Sequence, residues 1–301
     1  MTKKSIFTYI HEFQKELNLP VIRMCNALDV SETGYYKWKR TRNRPKAWQL
    51  LLVKIHEIID EYPDNDNYGI ERVMLGLKQR GIKNNSRSTV IRAMRKGNLL
   101  HKSRRSPNGL TKADKKANRP ENIIKRDFSA TKPDEKWLTD ITEIPCSDGK
   151  LYVAPILDCF GGEIISLSMD SHMKKDLCID AIKEAYKSRN PGNGVIIHSD
   201  AGSQYTSEKY KDTLGRFRAI QSMSDVGKCY DNSRMESFFA TLKKEKIYKI
   251  NTLKLKREEV KKIVWRYVMI YYNRQRINTM NKEGFPPSIY RNMTTDKQAV
   301  A

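Results

Sequence analysis

The sequence predicts an α/β core built on a mixed five-stranded sheet, preceded by an all-helical front. Two observations carry this. Apolar residues recur at three- and four-residue steps up to about residue 100, then give way to short β-type runs bounded by glycine and polar turns. Charge divides in the same place. Residues 1–130 hold 28 basic and 13 acidic residues, net +15, and residues 131–301 hold 29 and 22, net +7. The total of +22 over 301 residues is more than solubility needs. It fits a polyanionic partner, of which nucleic acid is the commonest, held mainly by the front.

The front reads as two helical units. In the first, residues 1–62, Ile6, Ile10, Phe13 and Leu17 share a helix face. A break at Pro20 is followed by a short helix, a turn, and Ser31 as N-cap of a second helix. That helix carries Lys37, Lys39 and Arg40 among Tyr35, Tyr36 and Trp38, a helix-turn-helix outline with a basic, aromatic second member. An ordinary helical pair with its aromatics in the core would read the same way. The second unit, residues 63–100, repeats the outline. Gly81 closes one helix, Ser86 caps the next, and Arg87, Arg92, Arg95 and Lys96 face outward. These seven basic residues are candidates for phosphate contact. Residues 101–133 lack periodicity until Ile123 and read as a basic linker.

Residues 134–250 hold the β-type runs. Lys136–Pro145, Leu151–Phe160 and Glu163–Met169 read as an antiparallel meander. A helix over 174–188, a short buried strand ending at Ser199, a helix over 206–217, a strand over 219–223 and a helix from Asn232 follow. That order is the order of a ribonuclease-H-like fold. Residues 251–301 read as one long helix over 255–275 and then a tail.

Three carboxylates stand in settings that would hold them firmly. Asp140 lies in the first strand, Asp200 just past a buried strand, and Glu236 in the first turns of a helix. Cutting a phosphodiester needs an activated nucleophile and a stabilised leaving oxygen, and two divalent ions about 4 Å apart serve both. Mg²⁺ or Mn²⁺ takes hard oxygen ligands, so few carboxylates suffice. Gly202 would let the chain turn sharply after Asp200. Lys243 is seven residues from Glu236, on the same helix face, and with Lys244 would reach DNA phosphates. His198, two residues before Asp200, either positions DNA or is a core histidine. Asp231, Asp225 and Glu163 read as caps or surface charges.

Other classes are disfavoured. The five cysteines are odd in number and form no Cys-x-x-Cys pair, which argues against a disulfide framework or a zinc site. No hydrophobic signal region opens the chain and no apolar run has transmembrane length. A soluble, cytoplasmic protein with no membrane partner is expected.

The residues that carry the acids also carry a family likeness. Trp137-x-x-Asp140-Ile141-Thr142, His198-Ser199-Asp200-x-Gly202-x-Gln204-Tyr205, and Asp231-Asn232 leading to Glu236-Ser237-Phe238-Phe239 and Leu242-Lys243-x-Glu245 follow one another, with 35 residues between Asp200 and Glu236. Tyr272-Asn273-x-x-Arg276 comes after them. The pattern resembles the acidic triad of the DDE transposase and retroviral integrase superfamily. It is most similar to OrfB, the second-frame transposase of bacterial insertion sequences whose frames overlap. That resemblance implies Asp140, Asp200 and Glu236 as catalytic metal ligands, with two ions of Mg²⁺ or Mn²⁺. It implies cleavage at an element's end, attack of the freed 3′-hydroxyl on a second phosphodiester, and no covalent protein intermediate. It also implies double-stranded DNA as partner, homo-oligomers on that DNA, and the OrfA product or an OrfA fusion. A nuclease of the same fold that cuts without joining, and a non-catalytic DNA-binding regulator, are the alternatives.

Overall fold

The computed structural model describes residues 2–82, 85–100, 120–225 and 229–299. Its centre is a sheet of six strands: β1 Lys136–Thr139, β2 Thr142–Cys146, β3 Gly149–Asp158, β4 Ile164–Asp170, β5 Ile196–Ser199 and β6 Ile220–Met223. Five were expected, because Lys136–Pro145 reads as a single run. Both halves of that run do pair with β3 in one antiparallel register, Thr139 opposite Ile156 and Thr142 opposite Val153. Asp140 and Ile141 fall between them, Asp140 opposite Pro155, a residue with no N–H for a ladder. Asp140 therefore stands in a strand break and not in a strand centre. On the other edge of β3 lies β4, antiparallel. Parallel to β1 runs β5, and parallel to β5 runs β6.

Alternation along the strands feeds two cores. On β3, Leu151, Val153 and Leu157 face one side while Ala154 and Ile156 face the other. On β1, Leu138 and Trp137 split the same way, both fully buried. One face is covered by α7 Lys175–Arg189, α8 Ser203–Thr206 and α9 Glu208–Arg216, the crossovers that the parallel strands require. The opposite face is covered by α10 Ser233–Glu245 and α11 Arg257–Trp265. Meander, helix, strand, helix, strand, helix is the ribonuclease-H-like order predicted from the sequence.

The front forms α1 Lys3–Phe13, α2 Val21–Ala27 and α3 Glu32–Thr41, then α4 Ala47–Ile59, α5 Ile70–Gln79 and α6 Arg87–Lys96. Both expected serine caps are made: Ser31 Oγ accepts from the Gly34 N–H at 3.1 Å, and Ser86 Oγ from the Thr89 N–H at 3.3 Å. Helices α1–α3 close a small core around Ile10, Cys25 and Tyr35, whereas α4 packs Leu51, Ile55 and Ile58 with α5 and α6 of the second unit. The second does not stand alone, since Ile277 from the far end of the chain enters its core.

Three expectations about the edges of the core change. Residues 101–119 of the expected linker lie outside the described residues, but 120–133 pack on the sheet. Ile124 is buried in the core, the Ile123 N–H donates to Ser222 Oγ at 3.0 Å, and the Met223 N–H donates to the Glu121 carbonyl. The long helix over 255–275 is α-helical only to Trp265; Arg266–Tyr272 winds as a π-helix that turns Tyr267, Tyr271 and Tyr272 into the core. The expected tail is the helix α12 Pro287–Ala299, with proline at the first position where its missing N–H is harmless. Tyr290 on α12 stacks on Phe160 at 5.5 Å between ring centres.

Candidate active site

The three acids come from three elements. Asp140 sits in the break between β1 and β2, half-buried, where its Oδ1 accepts from the Ile141 N–H at 2.7 Å. Its carboxyl is pushed up to about 8, first by burial and then by the charges of Asp200 and Glu236; the Ile141 N–H and the Lys243 ammonium pull the other way. Asp200 follows β5 immediately, and its Oδ1 accepts from the Gly202 N–H at 3.0 Å. Glu236 lies in the first turn of α10, on the exposed side, and partial burial raises its carboxyl.

So Asp200 and Glu236 both act on Asp140 through their charge, from segments 60 and 96 residues further along. They do so at electrostatic range. Among the described residues no three His, Cys, Asp or Glu side chains are close enough to form a closed metal-ligand cluster. The donors are nonetheless the right kind. All three are hard carboxylate oxygens, and mutual repulsion of like charges at Asp140 is what a divalent cation relieves.

Gly202 is needed for a reason other than the expected one. Its backbone is extended, φ −67° and ψ 149°, which any residue adopts. A Cβ there would lie 3.0 Å from both Asp200 Oδ1 and Gln204 Oε1. Glycine lets the N–H approach and hold the Asp200 carboxylate.

The basic candidates divide. Lys243, on the Glu236 face of α10, is half-buried; burial lowers its ammonium while Glu143 and Asp140 hold it up. It belongs to the acidic site. Lys244 is exposed beside it. Lys37, Lys39 and Arg40 on α3 are exposed, as are Arg87, Arg92, Arg95 and Lys96 on α6. Arg87 is paired with Glu71 at 3.0 Å.

His198 is not among them. It is fully buried, with Nδ1 2.9 Å from Ser222 Oγ and Nε2 3.0 Å from Ser224 Oγ. Burial drives its pKa down to about 4. Both ring nitrogens are spent on the β6 edge, and no atom is left for DNA. The core reading of this histidine holds. His198→Ala is expected to leave DNA affinity unchanged and to lower stability by about 2–4 kcal/mol, since a buried cavity results and Ser222 and Ser224 each lose a hydrogen-bond partner. Urea unfolding beside a DNA titration checks this; weakened binding with unchanged stability would contradict it.

Two acids read as caps or surface charges do more. Asp231 is 2% exposed and accepts from Arg126 Nε at 2.6 Å, Asn122 Nδ2 at 3.0 Å and the Asp225 N–H at 3.2 Å. It pins the lead-in segment and the loop before α10 together, five residues ahead of Glu236. Glu163 pairs with Arg189 at the end of α7. Neither burial is written in the local sequence, because the side chains that hold these acids, Asn122 and Arg126 for Asp231 and Arg189 for Glu163, are more than 20 residues away.

The chain is similar to known proteins over most of its length. Two models of the integrase core domain match the chain, one over residues 130–229 and one over 236–295. A putative transposase for insertion sequence element IS150 of Escherichia coli (strain K12) is 33% identical over 282 residues, covering 91% of this chain and 94% of that protein. A transposase for insertion sequence IS3A of the same organism is 31% identical over 272 residues, covering 90% and 93%. The transposase for insertion sequence element IS904 of Lactococcus lactis is 35% identical over 238 residues, covering 77% and 89%. Among solved structures, the HTLV-2 integrase catalytic core domain in complex with magnesium is 18% identical with a TM-score of 0.42, covering 54% of this chain and 98% of that one. With likeness of this extent along nine-tenths of its length, the chain belongs to the transposases of bacterial insertion sequences that carry an integrase core domain, the IS3 family of polynucleotidyl transferases.

Proposed function

We propose that this transposase binds the ends of its insertion element, cuts a DNA strand there and joins the freed end to a second site. Asp140, Asp200 and Glu236 hold the divalent metal, two ions of Mg²⁺ or Mn²⁺. The observation that carries the reading is Asp140 in its strand break, its carboxyl raised by burial and by the charges of both other acids. When bound, the ions supply an activated oxygen nucleophile and stabilise the leaving oxygen. The chain's own residues do the rest. Asp140, Asp200 and Glu236 would hold the ions through their carboxylate oxygens; Lys243 reaches phosphate beside them from the Glu236 face of α10. No tyrosine is needed as a nucleophile. Homo-oligomers on the DNA, an OrfA product or fusion as partner, and action in the cytoplasm belong to the same reading. No helix among the described residues is long and apolar enough to cross a membrane.

A labelled duplex carrying the element's end, incubated with the protein and Mg²⁺, tests this. Strand-joined product is expected. Cleavage without joining would convert the reading to a nuclease, and bound but unaltered DNA would overturn it.

The exposed basic faces of α3 and α6 account for the phosphate grip. Neutralising Lys37, Lys39 and Arg40 together is expected to flatten the dependence of log affinity on log salt by about 2.7, near 0.9 for each phosphate no longer neutralised. Affinities measured across a salt series read this directly. An unchanged slope would remove α3 from the interface.

A further inference from the structure

The three acids stand on three separate segments, yet those segments are tied to one another below the surface. Asn232, at the N-terminus of α10, is one helical turn before Glu236. Its Nδ2 donates at 3.1 Å to the carbonyl of Thr139, the residue directly before Asp140. The Thr139 hydroxyl in turn lies 3.3 Å from the hydroxyl of Tyr205. Tyr205 belongs to α8, the helix opened by Gly202, whose N–H holds Asp200. All three side chains are buried: Thr139 at 0%, Tyr205 at 1% and Asn232 at 4% exposure. Tyr205 is held from a further side by Gln221, whose Nε2 donates to its carbonyl at 2.8 Å. Asn232 Oδ1 is buried without a partner.

We propose that Asn232, Thr139 and Tyr205 form a buried strap that sets the separations of Glu236, Asp140 and Asp200. They are positioning residues, and this role rests on the metal-site reading above. The physical need is plain. The acids repel one another, so side chains free to move would spread apart. A carboxylate constellation must be held to within about 0.5 Å to bind its ions productively. Apolar packing alone tolerates sliding, whereas hydrogen bonds between buried groups have fixed lengths and directions. An unbonded amide oxygen is tolerated on Asn232 because its Nδ2 makes the one contact that matters to the site.

The strap is tested on the full-length protein with Mn²⁺ as probe, using the free-ion spin-resonance signal to obtain affinity. Thr139→Val and Tyr205→Phe each remove one hydroxyl and keep the shape. Each is expected to weaken Mn²⁺ binding by about 10- to 100-fold, the usual effect of losing a group that orients metal ligands. The double variant should lose little more than either single one, because both break the same bond. Thr139→Ser should restore binding. Asn232→Ala should weaken it independently of the other two. Melting temperature and DNA affinity are followed in parallel, and every variant should retain both. The strap is overturned if folded variants bind Mn²⁺ as wild type does, if the two hydroxyl losses simply add, or if weakened binding only tracks a lowered melting temperature. Failure of wild type itself to bind Mn²⁺ would instead sink the metal-site reading.

Discussion

Asp140→Asn, Asp200→Asn and Glu236→Gln are each expected to reduce strand transfer by a factor on the order of 10³ or more, with DNA-end affinity within about twofold of wild type. Each substitution keeps size and removes one carboxylate charge, so binding through the basic helices proposed above is expected to stay untouched. Gel-shift affinity beside a joining assay separates the two quantities. Full activity in any one variant would remove that residue from the site. Asp140→Asn has a second consequence. The folded-state pKa of Asp140 is raised, so ionising it without metal opposes folding. That penalty is absent below the unfolded value of about 3.9 and grows as pH rises toward 8. The metal-free Asn variant should therefore match wild type near pH 4 and exceed it at pH 8. The difference should be at least about 1.4 kcal/mol, the equivalent of one pH unit. Urea titrations at the two pH values measure it, and parallel stabilities at both would contradict the cause given for the shift.

The largest effect on stability is expected at Arg276. Its guanidinium makes two bonds of 2.8 Å to Glu245, and both residues are at least nine-tenths buried. The same carboxylate takes Arg72 of α5 at 3.0 Å and the Tyr267 hydroxyl at 2.8 Å. One buried acid thus joins α10, the π-helix, the C-terminal segment and the second helical unit. Around it, Tyr68 Oη accepts from the Ile277 N–H at 2.8 Å and Lys246 pairs with Asp64 at 2.9 Å. Arg276→Ala removes two of the four bonds that hold a buried charge and should cost about 3–5 kcal/mol. That is a large part of the ~5–15 kcal/mol by which domains are stable. Bonds to Arg276, Arg72 and Tyr267 outweigh burial and lower the Glu245 pKa. A depressed carboxyl gives stability that is present above the unfolded value of about 4.3 and lost as pH falls through the folded one. Wild type should lose this contribution in acid, and the variant should have less to lose. Denaturant midpoints at neutral and acid pH test it. Replacing both partners, as in Glu245→Leu with Arg276→Met, should recover much of the loss. A change below about 1 kcal/mol for Arg276→Ala alone would show that the cluster is not a joint.

Much of this was legible in the residues themselves. Strands and helices of the core follow from apolar periodicity, because Trp137, Leu138, Ala154 and Ile156 alternate between two buried faces. Serine caps at 31 and 86 are local signals and were made locally. The acids were legible because each sits at an element's end, where short-range rules apply. What could not be read was long-range pairing. The break at Asp140 lies opposite Pro155, which only the register of β3 reveals. His198 lost its freedom to serines 24 and 26 residues away, and Glu245 found Arg276 31 residues on. The π-helical winding at Arg266–Tyr272 serves three tyrosines that must reach buried partners, which no helix period announces.

We propose that Asp140, Asp200 and Glu236 hold one divalent metal centre. Mn²⁺ titration of the full-length protein and of the three single acid variants, read from the free-ion spin-resonance signal, tests this most directly. Saturable binding by wild type, weakened by about tenfold or more in each variant, is the predicted result. Equal binding in all four proteins would contradict it.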